Sequence, residues 1–319
     1  MGKIIRIGTR ESQLALWQAT QVKDLLAQHG FQSELVFIKS EGDIDLVTPL
    51  YELGVQGIFT RSLDAALLND RIDIAVHSLK DVPTQLPAGI VQGAVLKRGS
   101  YKDILIPKEA SGNQSAWKKI RKGEPLGEDY APMVIATSSI RRKAQWLNLY
   151  PGHIIESLRG NVNTRLNKLI ENEWDGAIFA AAGLERIELR PGNAIDLDWM
   201  LPAPAQGAII TVCREQDIQA RAACQSFDDA PTALCTYIER DFLRALLGGC
   251  STPISALAEI KKGKLHFKGN IVSVDGTNRI DIEKILPVED AGQLGRQAAA
   301  EILQKGGRKI TDALMHAKK

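Results

Sequence analysis

The feature that most restricts the fold of this chain is the alternation of strand-like and helix-like segments over its first hundred residues. Three short runs have the apolar, β-branched composition of buried strands. Between the first two, apolar residues at helical spacing predict a helix that begins at Ser12 and ends at Gly30. This rhythm predicts an α/β fold built on a doubly wound, parallel sheet. The strand segments are KIIRIGT, SELVFIK and IDIAVHSL, and the helical segments are SQLALWQATQVKDLLAQHG and FTRSLDAALLNDR.

The same plan recurs in the next part of the chain. MVIATSSIRRKAQWLNLYP repeats the order of strand, polar turn and helix, and NVNTRLNKLIENEWDGAIFAAAGL repeats the order of helix and strand. Two similar α/β lobes are therefore expected. Ligands of such sheets bind outside the carboxyl ends of the strands, so we expect a binding cleft between the lobes. The matching residues are Ile7 and Ile135, Thr9 and Thr137, Asn69 and Asn172, and Asp73 and Asp175.

The length of 319 residues predicts two or three domains. Segment 201–215 predicts a strand that returns to the first lobe, and the polar stretch 108–132 is interpreted as an insertion loop. The predicted fold class is α/β, with two similar doubly wound lobes flanking a cleft, as in periplasmic binding proteins. A smaller C-terminal α+β domain with an antiparallel sheet completes it. The expected domains are 1–99 with 203–222, then 100–202, and finally 223–319.

Composition disfavours several classes of function. The formal net charge of +2 provides no long-range basic field for nucleic acid or an anionic membrane. The N-terminal segment lacks the plan of a signal peptide, and the longest apolar runs are too short to span a membrane, so a cytoplasmic protein is expected. The four cysteines form no CxxC pair and no metal-site spacing with histidine, so no metal site and no disulfide is expected.

The motif HSLKDVP (77–83) ends the third predicted strand. Strand alternation predicts that Ser78 and Lys80 share one face, whereas Asp81 lies on the other with His77, until Pro83 ends the strand. An aspartate beside a lysine is more often a solvated loop pair than a catalytic group. A carboxylate at the carboxyl end of a strand is nevertheless well placed to stabilise a cationic intermediate.

Arginine residues cluster where predicted turns meet helices. Any one of them is more often a surface residue than a ligand-binding residue. A sheltered Arg–carboxylate contact contributes about 1.5–3 kcal/mol, against about 0–1 kcal/mol for an exposed pair, so several converging arginines favour binding of a polyanion. The hydroxyls of residues 137–139 and the adjacent helix start add hydrogen-bond donors. The arginines are Arg10, Arg141, Arg142, Arg159, Arg165 and Arg186.

Cys250 lies in the motif LLGGCSTPIS, after two glycines that leave its loop uncrowded. A single loop cysteine is most often an ordinary residue. It becomes a candidate nucleophile or attachment site if neighbouring cations favour the thiolate.

Six motifs together resemble those of porphobilinogen deaminases. They occur in the order of that family and at about its spacing, over nearly the whole chain. No single motif is specific, but the combination of HSLKDVP, SLRGNVNTR and GGCSTP is. The six motifs are GTRESQLALWQ, IDIAVHSLKDVP, ATSSIRR, SLRGNVNTRL, LPAPAQGA and LLGGCSTPIS.

The resemblance implies a function and a cofactor. It implies a transferase of haem biosynthesis that condenses four porphobilinogen units head to tail, with loss of ammonia, into the linear tetrapyrrole hydroxymethylbilane. It implies a monomer whose Cys250 carries a dipyrromethane cofactor through a thioether, with no nucleotide and no metal. Asp81 would stabilise the azafulvene-type cation that forms when ammonia leaves.

The resemblance also implies which residues contact the acidic side chains and ring nitrogens of the pyrroles. The cofactor-binding set is Ser78, Lys80, Asp81, Thr137, Ser138, Ser139, Arg141, Arg142, Arg159, Gly160 and Cys250. The substrate-binding set is Arg10, Ser12, Gln18, Arg142, Arg159, Arg165, Arg186 and Gln206.

Some residues depart from the pattern of that family. Most of them fall in segment 40–61, which is expected to be a mobile cover of the cleft. Ala205 stands where glycine is usual. The departures in and beside the segment are Glu41, Gln56, Arg61 and Ser62.

Three other functions stay open at this stage. A two-lobed anion-binding protein without catalysis would share the architecture but would have no use for the GGC motif. A thiol-nucleophile transferase or hydrolase would use Cys250 with a base, for which His77 is the nearest candidate. A family member that binds the cofactor but turns over poorly would fit the departures at Gln56 and Ser62.

Overall fold

Two compact units account for the described part of the chain. The computed structural model describes residues 3–39, 60–108, 114–127, 129–246 and 252–316. The first unit comprises residues 3–39, 60–99 and 207–234 of these, and the second comprises the rest. The first unit is therefore discontinuous, with a return segment near the predicted position. The separate domain expected over 223–319 stays a prediction.

The helices and strands follow the predicted alternation. In chain order the strands are β1 (Ile5–Thr9), β2 (Ser33–Phe37), β3 (Ile74–Ser78), β4 (Ile90–Val95), β5 (Asp103–Pro107), β6 (Val134–Ala136), β7 (Ile154–Glu156), β8 (Gly176–Ala180), β9 (Ile195–Asp196), β10 (Ile209–Arg214), β11 (Ile254–Lys261), β12 (Lys264–Val272) and β13 (Arg279–Pro287). The α-helices are α1 (Gln13–Gln28), α2 (Arg61–Leu68), α3 (Gln114–Lys122), α4 (Ile140–Leu149), α5 (Val162–Glu171), α6 (Ala181–Glu185), α7 (Ile218–Gln225), α8 (Ala230–Ala245), α9 (Leu294–Ile302) and α10 (Arg308–His316).

The sheet of the first unit contains one reversed strand. Its order is β2–β1–β3–β10–β4, with β1 parallel to β2 and β3, and β10 antiparallel to β3 and β4. Ile209, the first residue of β10, pairs with Ser78, the last residue of β3. The returning segment thus enters at the carboxyl ends of the parallel strands and must run backwards. The parallel arrangement predicted from the first hundred residues is confirmed for β1, β2 and β3, whereas the returning strand is antiparallel.

The sheet of the second unit repeats this topology. Its order is β7–β6–β8–β5–β9, in which β6 is parallel to β7 and β8, whereas β5 is antiparallel to β8 and β9. Asp103, the first residue of β5, pairs with Ala180, the last residue of β8. The two sheets therefore correspond strand by strand, as expected for an internal repeat.

Two aspartates that match in sequence make the same backbone contacts. The Asp73 N–H donates to the Arg6 carbonyl over 2.8 Å, and the Arg6 N–H donates to Asp73 Oδ2 over 2.9 Å. The Asp175 N–H donates to the Val134 carbonyl over 2.9 Å, and the Val134 N–H donates to Asp175 Oδ2 over 2.8 Å. Each aspartate directly precedes one strand and is joined by two hydrogen bonds to a residue near the start of the neighbouring strand.

The interpretation of residues 108–132 as an insertion loop is wrong, because α3 lies within this stretch. Ala116, Trp117 and Ile120 are buried in the core against the second sheet. Their spacing places them on one side of the helix. Lys118 and Lys119 interrupt this short apolar stripe, and Arg121 and Lys122 follow it, so the segment is polar on average.

The C-terminal strands form the predicted antiparallel sheet, β11–β12–β13. The VDGT turn between β12 and β13 contains Gly276 with a positive φ of 80°. A Cβ at this position would lie 2.6 Å from the Leu147 carbonyl carbon, and the Asn148 side chain donates to the Gly276 carbonyl over 2.8 Å. A side chain at residue 276 would thus disrupt the packing of this turn against α4.

Candidate active site

The predicted catalytic motif of the first unit lies on a tight turn rather than on a strand. β3 ends at Ser78, and Leu79–Asp81 forms a single 3₁₀ turn. The Leu79 N–H donates to the Ala208 carbonyl over 3.0 Å, which fixes this turn to the start of β10. The alternation of faces predicted beyond Ser78 is therefore wrong. Lys80 and Asp81 are both half-buried, at the carboxyl end of a parallel strand.

Other predicted residues of the first unit surround the same edge of its sheet. Ser12 begins α1, and its hydroxyl accepts from the Ala15 N–H over 3.4 Å. The buried Gln18 reaches from α1 to β3, where its Nε2 donates to Ser78 Oγ over 2.8 Å. Arg10 is half-buried and directly follows β1. The structure thus brings the first-unit members of both predicted sets to one edge of one sheet.

His77 is buried beside these residues and stays neutral. Burial, together with the positive charge of Arg10, lowers the pKa of its imidazole to about 3. Its Nε2 has no hydrogen-bond partner among the described residues. A group with so low a pKa is a poor general base near neutral pH.

The polar turn after β6 uses its hydroxyls to hold the backbone. The Thr137 N–H donates to the Glu156 carbonyl over 2.8 Å, and Thr137 Oγ1 accepts from the Ser139 N–H over 3.2 Å. Ser138 Oγ accepts from the Leu158 N–H over 2.9 Å. Ser139 is the N-cap of α4. These contacts place the start of α4 and its free N–H groups at the carboxyl end of β6.

Arg141 and Arg142 are buried in the first turn of α4, where both bind Asp103. Arg141 Nη1 lies 2.7 Å from Asp103 Oδ2, and Arg142 Nε lies 2.9 Å from Asp103 Oδ1. Gln206 Nε2 also donates to Oδ1, over 3.0 Å. Burial of Asp103 raises the pKa of its carboxyl, but the charges of the two arginines outweigh this and lower the pKa to about 2. Two guanidinium groups and one carboxylate leave a net charge of +1 on this buried group.

The loop after β7 positions Arg159 and Arg165. Arg159 is buried, whereas Arg165 is half-buried at the start of α5. Arg165 Nε donates to the Gly160 carbonyl over 2.7 Å. Gly160 has a φ of 113°, and a Cβ there would lie 2.7 Å from Thr164 Cγ2, so this position requires glycine.

Arg186 follows α6, on the strand–helix connection after β8. Burial lowers the pKa of its guanidinium to about 10, although the carboxylate of Glu185 opposes this. The group is therefore still a cation at neutral pH, and an anionic ligand would relieve the cost of its burial.

Sequence reasoning missed the residues that support this arginine cluster. Asp103 is fully buried, although it directly follows lysine in a stretch that resembles a surface crossover. Gln145 is buried on α4, and its Nε2 donates to the Leu201 carbonyl over 2.9 Å and to Ser255 Oγ over 3.0 Å. The sequence signal for Asp103 is a charged residue that opens the apolar run ILIP.

Ala205 occupies a backbone conformation that favours glycine. Its φ is 62°, and it is buried directly before Gln206. The Ala205 N–H donates to Glu239 Oε2 over 2.6 Å, and the other oxygen of Glu239 accepts from the Ala258 N–H over 2.7 Å. The departure from glycine at this position therefore falls on a strained residue directly before Gln206.

Some predicted residues lie outside the described part of the chain. These are Cys250 and the departures Glu41 and Gln56, so most of the predicted cover over 40–61 is not described either. Ser62 lies in α2 and is half-buried.

Two features are absent from the described residues. No helix among them is long and apolar enough to cross a membrane. No cluster of three or more His, Cys, Asp or Glu side chains in the described ranges could hold a metal ion.

Comparison with protein families identifies two matching regions. The family model described as "Porphobilinogen deaminase, dipyromethane cofactor binding domain" matches residues 5–222, and the model of the C-terminal domain of porphobilinogen deaminase matches residues 233–304. The chain belongs to the porphobilinogen deaminase family.

Curated relatives support this assignment over nearly the full length. A porphobilinogen deaminase of Desulforamulus reducens is 39% identical over 97% of this chain and 97% of its own. One of Maridesulfovibrio salexigens is 38% identical over the same shares of both chains. A probable porphobilinogen deaminase of Methanosarcina barkeri is 40% identical over 97% of this chain and 95% of its own.

Solved structures give weaker likenesses. The ligand-binding component of an ABC-type import system from Staphylococcus aureus is 16% identical over 76% of this chain and 74% of its own, with a TM-score of 0.39. The GluR0 ligand-binding core in complex with L-glutamate is 12% identical over 71% of this chain and 87% of its own, with a TM-score of 0.38. Likenesses of this size carry no argument.

The residues of the second unit fit the cofactor of the porphobilinogen deaminase family. A dipyrromethane with acetate and propionate side chains is a polyacid that requires sheltered cations. Arg141, Arg159 and Arg186 supply such cations, each on a connection that follows the carboxyl end of a parallel strand. The helix start after Ser139 adds N–H donors.

Proposed function

We propose that the chain is a porphobilinogen deaminase, that is, a hydroxymethylbilane synthase. It joins four porphobilinogen units head to tail, releases ammonia at each step and produces the linear tetrapyrrole hydroxymethylbilane. Membership of the family supports the reaction, and the family model over residues 5–222 supports the dipyrromethane cofactor. Cys250 carries the cofactor through a thioether in this proposal.

The observation that carries the proposal is the position of the candidate residues in each sheet. In the first unit, Arg10 follows β1, and Lys80 and Asp81 follow β3. In the second unit, the 137–139 turn and Arg159 follow β6 and β7. Carboxyl ends of parallel strands are where α/β sheets bind their ligands, and these residue types suit a ligand rich in carboxylates.

Asp81 is the proposed catalytic residue. When bound, the cofactor supplies the free pyrrole α-carbon to which the first substrate unit is joined. The Asp81 carboxylate accepts a hydrogen bond from the pyrrole N–H of the reacting unit and stabilises the positive charge that develops as ammonia leaves. Lys80 and Arg10 neutralise substrate carboxylates nearby. The 3₁₀ turn fixes Asp81 at the end of β3, so its carboxylate needs little reorganisation.

Intact mass under denaturing conditions tests the proposal. Purified protein should carry extra mass equal to two linked pyrrole units, and this mass should be absent from Cys250→Ser. Cys235→Ser is the matched control, since Cys235 is a buried thiol of the second unit, and it should keep the extra mass. Addition of porphobilinogen should then release hydroxymethylbilane. Unmodified wild-type protein with no turnover would disprove the proposed function.

Two finer points of the proposal have tests of their own. We propose that the enzyme is a cytoplasmic monomer. Light scattering coupled to gel filtration should give a mass near 34.9 kDa. Fractionation of the source cells should recover the activity with the cytoplasmic enzymes.

A further inference from the structure

The buried carboxylate of Asp103 lies at the carboxyl ends of the parallel strands of the second sheet. It opens the reversed strand β5 and pairs with Ala180, the last residue of β8. Its side chain is 0% exposed. Burial of a charge in such a position is costly unless cations and hydrogen-bond donors surround it. The partners of Asp103 therefore indicate which side chains it positions.

The two oxygens of Asp103 have different partners. Oδ2 accepts from Arg141 Nη1 over 2.7 Å. Oδ1 accepts from Arg142 Nε over 2.9 Å and from Gln206 Nε2 over 3.0 Å, and Arg142 Nη2 lies 2.8 Å from it. Arg142 and Gln206 therefore fix the carboxylate from one side, and the other oxygen is directed at Arg141.

Arg141 is held through one nitrogen. Its Nη1 donates to Asp103 Oδ2 and, over 2.8 Å, to the Leu201 carbonyl. Among the described residues, its Nε and Nη2 make no hydrogen bond. Arg141 lies two residues after Ser139, the N-cap of α4, so its backbone belongs to the first turn of this helix.

We propose that Asp103 is a positioning residue, which fixes Nη1 of Arg141 and leaves Nε and Nη2 oriented for a carboxylate of the dipyrromethane cofactor. This inference rests on the proposed function. A guanidinium that is already fixed loses less conformational entropy when it binds a carboxylate through two parallel hydrogen bonds.

The sign of the electrostatic change makes the proposal testable. Asp103→Asn removes one negative charge, so the net charge of Asp103, Arg141 and Arg142 rises from +1 to +2. Added positive charge alone would strengthen the attraction for a polyacid. Slower cofactor loading in this variant would therefore indicate lost orientation and not lost charge attraction.

The experiment compares cofactor loading in Asp103→Asn, Asp73→Asn and the wild type. Each protein is produced in cells that make no porphobilinogen and is then incubated with porphobilinogen, and the gain of mass equal to two linked pyrrole units is followed over time. Asp73 is the matched control, because its carboxylate is also buried and has several cationic partners in the first unit. We expect loading to be at least tenfold slower in Asp103→Asn and within twofold of wild type in Asp73→Asn.

The outcomes separate the inference from the proposed function. Wild-type loading rates in a folded Asp103→Asn protein would overturn the positioning role. Equal slowing in both variants would overturn it too, since it would indicate a general loss of stability. A wild-type protein that gains no mass at all would instead refute the proposed function.

A second pair of variants applies if Asp103→Asn does not fold. Arg142→Met keeps the contact of Asp103 with Arg141 at a net charge of 0, whereas Asp103→Asn with Arg142→Met leaves Arg141 without its carboxylate at the wild-type net charge of +1. Charge attraction alone would therefore favour the double variant over Arg142→Met. We expect the double variant to load at least fivefold more slowly than Arg142→Met. Equal rates would contradict the proposal.

Discussion

The two units each bury an aspartate among cations, but at opposite edges of their sheets. Asp73 precedes β3, at the amino ends of the parallel strands, and binds Lys3, Arg6 and Arg214. Asp103 lies at the carboxyl ends and binds the arginine pair of α4. The cluster at the amino edge is distant from any ligand-binding position in its sheet, and the one at the carboxyl edge lies where ligands bind. Position in the sheet, rather than the composition of the cluster, separates a structural ion pair from a candidate site.

The comparison extends to matched positions of the repeat. Asp103 in the second sheet corresponds to Ile209 in the first, since each opens the reversed strand and pairs with the last residue of its neighbour. Arg6 in the first sheet corresponds to Val134 in the second. At these two pairs of matched positions, the first unit has a charged residue only at the amino ends of its strands, and the second unit only at the carboxyl ends. A variant at one end of a sheet can therefore be compared with a control at the opposite end of the other sheet.

The largest effect is expected at the carboxyl edge of the first unit. Asp81→Asn should keep the fold and the cofactor but reduce kcat by about 10²–10³-fold, because one preorganised charge at the reacting centre is lost. Steady-state rates with porphobilinogen measure this. Asp70→Asn, at an exposed aspartate of the same unit, should leave the rate unchanged. Near-normal turnover in Asp81→Asn would remove the catalytic role.

The amino edges should differ in stability. Asp73→Asn should lower the free energy of unfolding by about 2–3 kcal/mol, less than for a fully buried ion pair because Lys3 and Arg6 reach solvent. Asp175→Asn should cost about 1 kcal/mol, since the amide oxygen can still accept from the Val134 N–H. Urea unfolding measures both. Equal losses of unfolding free energy in the two variants would contradict the expected difference between the amino ends of the two sheets.

A histidine of the first sheet should make stability depend on pH. His77 lies four residues after Asp73, and Phe179 lies four residues after the matching Asp175, so the two positions correspond. Phe179 is buried in the second sheet. His77 titrates near pH 6.5 when unfolded but has a pKa of about 3 in the fold, so the unfolded state binds more protons below pH 6.5. Stability should fall as the pH drops from about 6.5 towards 3, by about 2 kcal/mol at pH 5.

The variant His77→Phe copies the residue of the second sheet and should remove this part of the pH dependence. Unfolding curves at several pH values measure it. If the free energy of unfolding of His77→Phe fell between pH 6.5 and pH 5 as steeply as that of the wild type, other groups would cause the loss of stability in acid.

Strand packing also differs between the units. Gly8 of β1 corresponds to Ala136 of β6, and a Cβ at Gly8 would contact the side chain of Ile72 and lie 2.9 Å from Leu63 Cδ2. Gly8→Ala should therefore destabilise the protein by about 1–2 kcal/mol through overpacking. The second sheet already accommodates the methyl group. Thermal unfolding would contradict this reading if Gly8→Ala left the midpoint unchanged.

The smallest effect is expected at Ala205, whose φ of 62° strains an alanine. Ala205→Gly should stabilise the protein by about 0.5 kcal/mol, because relief of the strain slightly exceeds the extra entropy of glycine in the unfolded chain. The unfolding midpoint measures this change. A loss of stability would mean that the packing of the buried methyl group outweighs the strain.

Local patterns were enough to predict most strands and helices, because their periodicity reflects burial on a single face. α3 was missed because its three buried residues stand in a short segment in which lysine and arginine predominate. The reversed direction of β10 could not be predicted, since pairing between distant strands leaves no local pattern. Asp103 was missed for the same reason: Arg141, Arg142 and Gln206 are distant from it in sequence, and a charged residue beside lysine suggests an exposed surface.

The placement of β10 has a consequence for the order of folding. The second sheet draws its five strands from one continuous stretch, 103–196, whereas the first sheet must insert residues 209–214 between β3 and β4. During synthesis, the sheet that begins first is therefore completed last. Nascent chains that stop before residue 209 should expose the unpaired edges of β3 and β4, where association with other chains competes with correct closure.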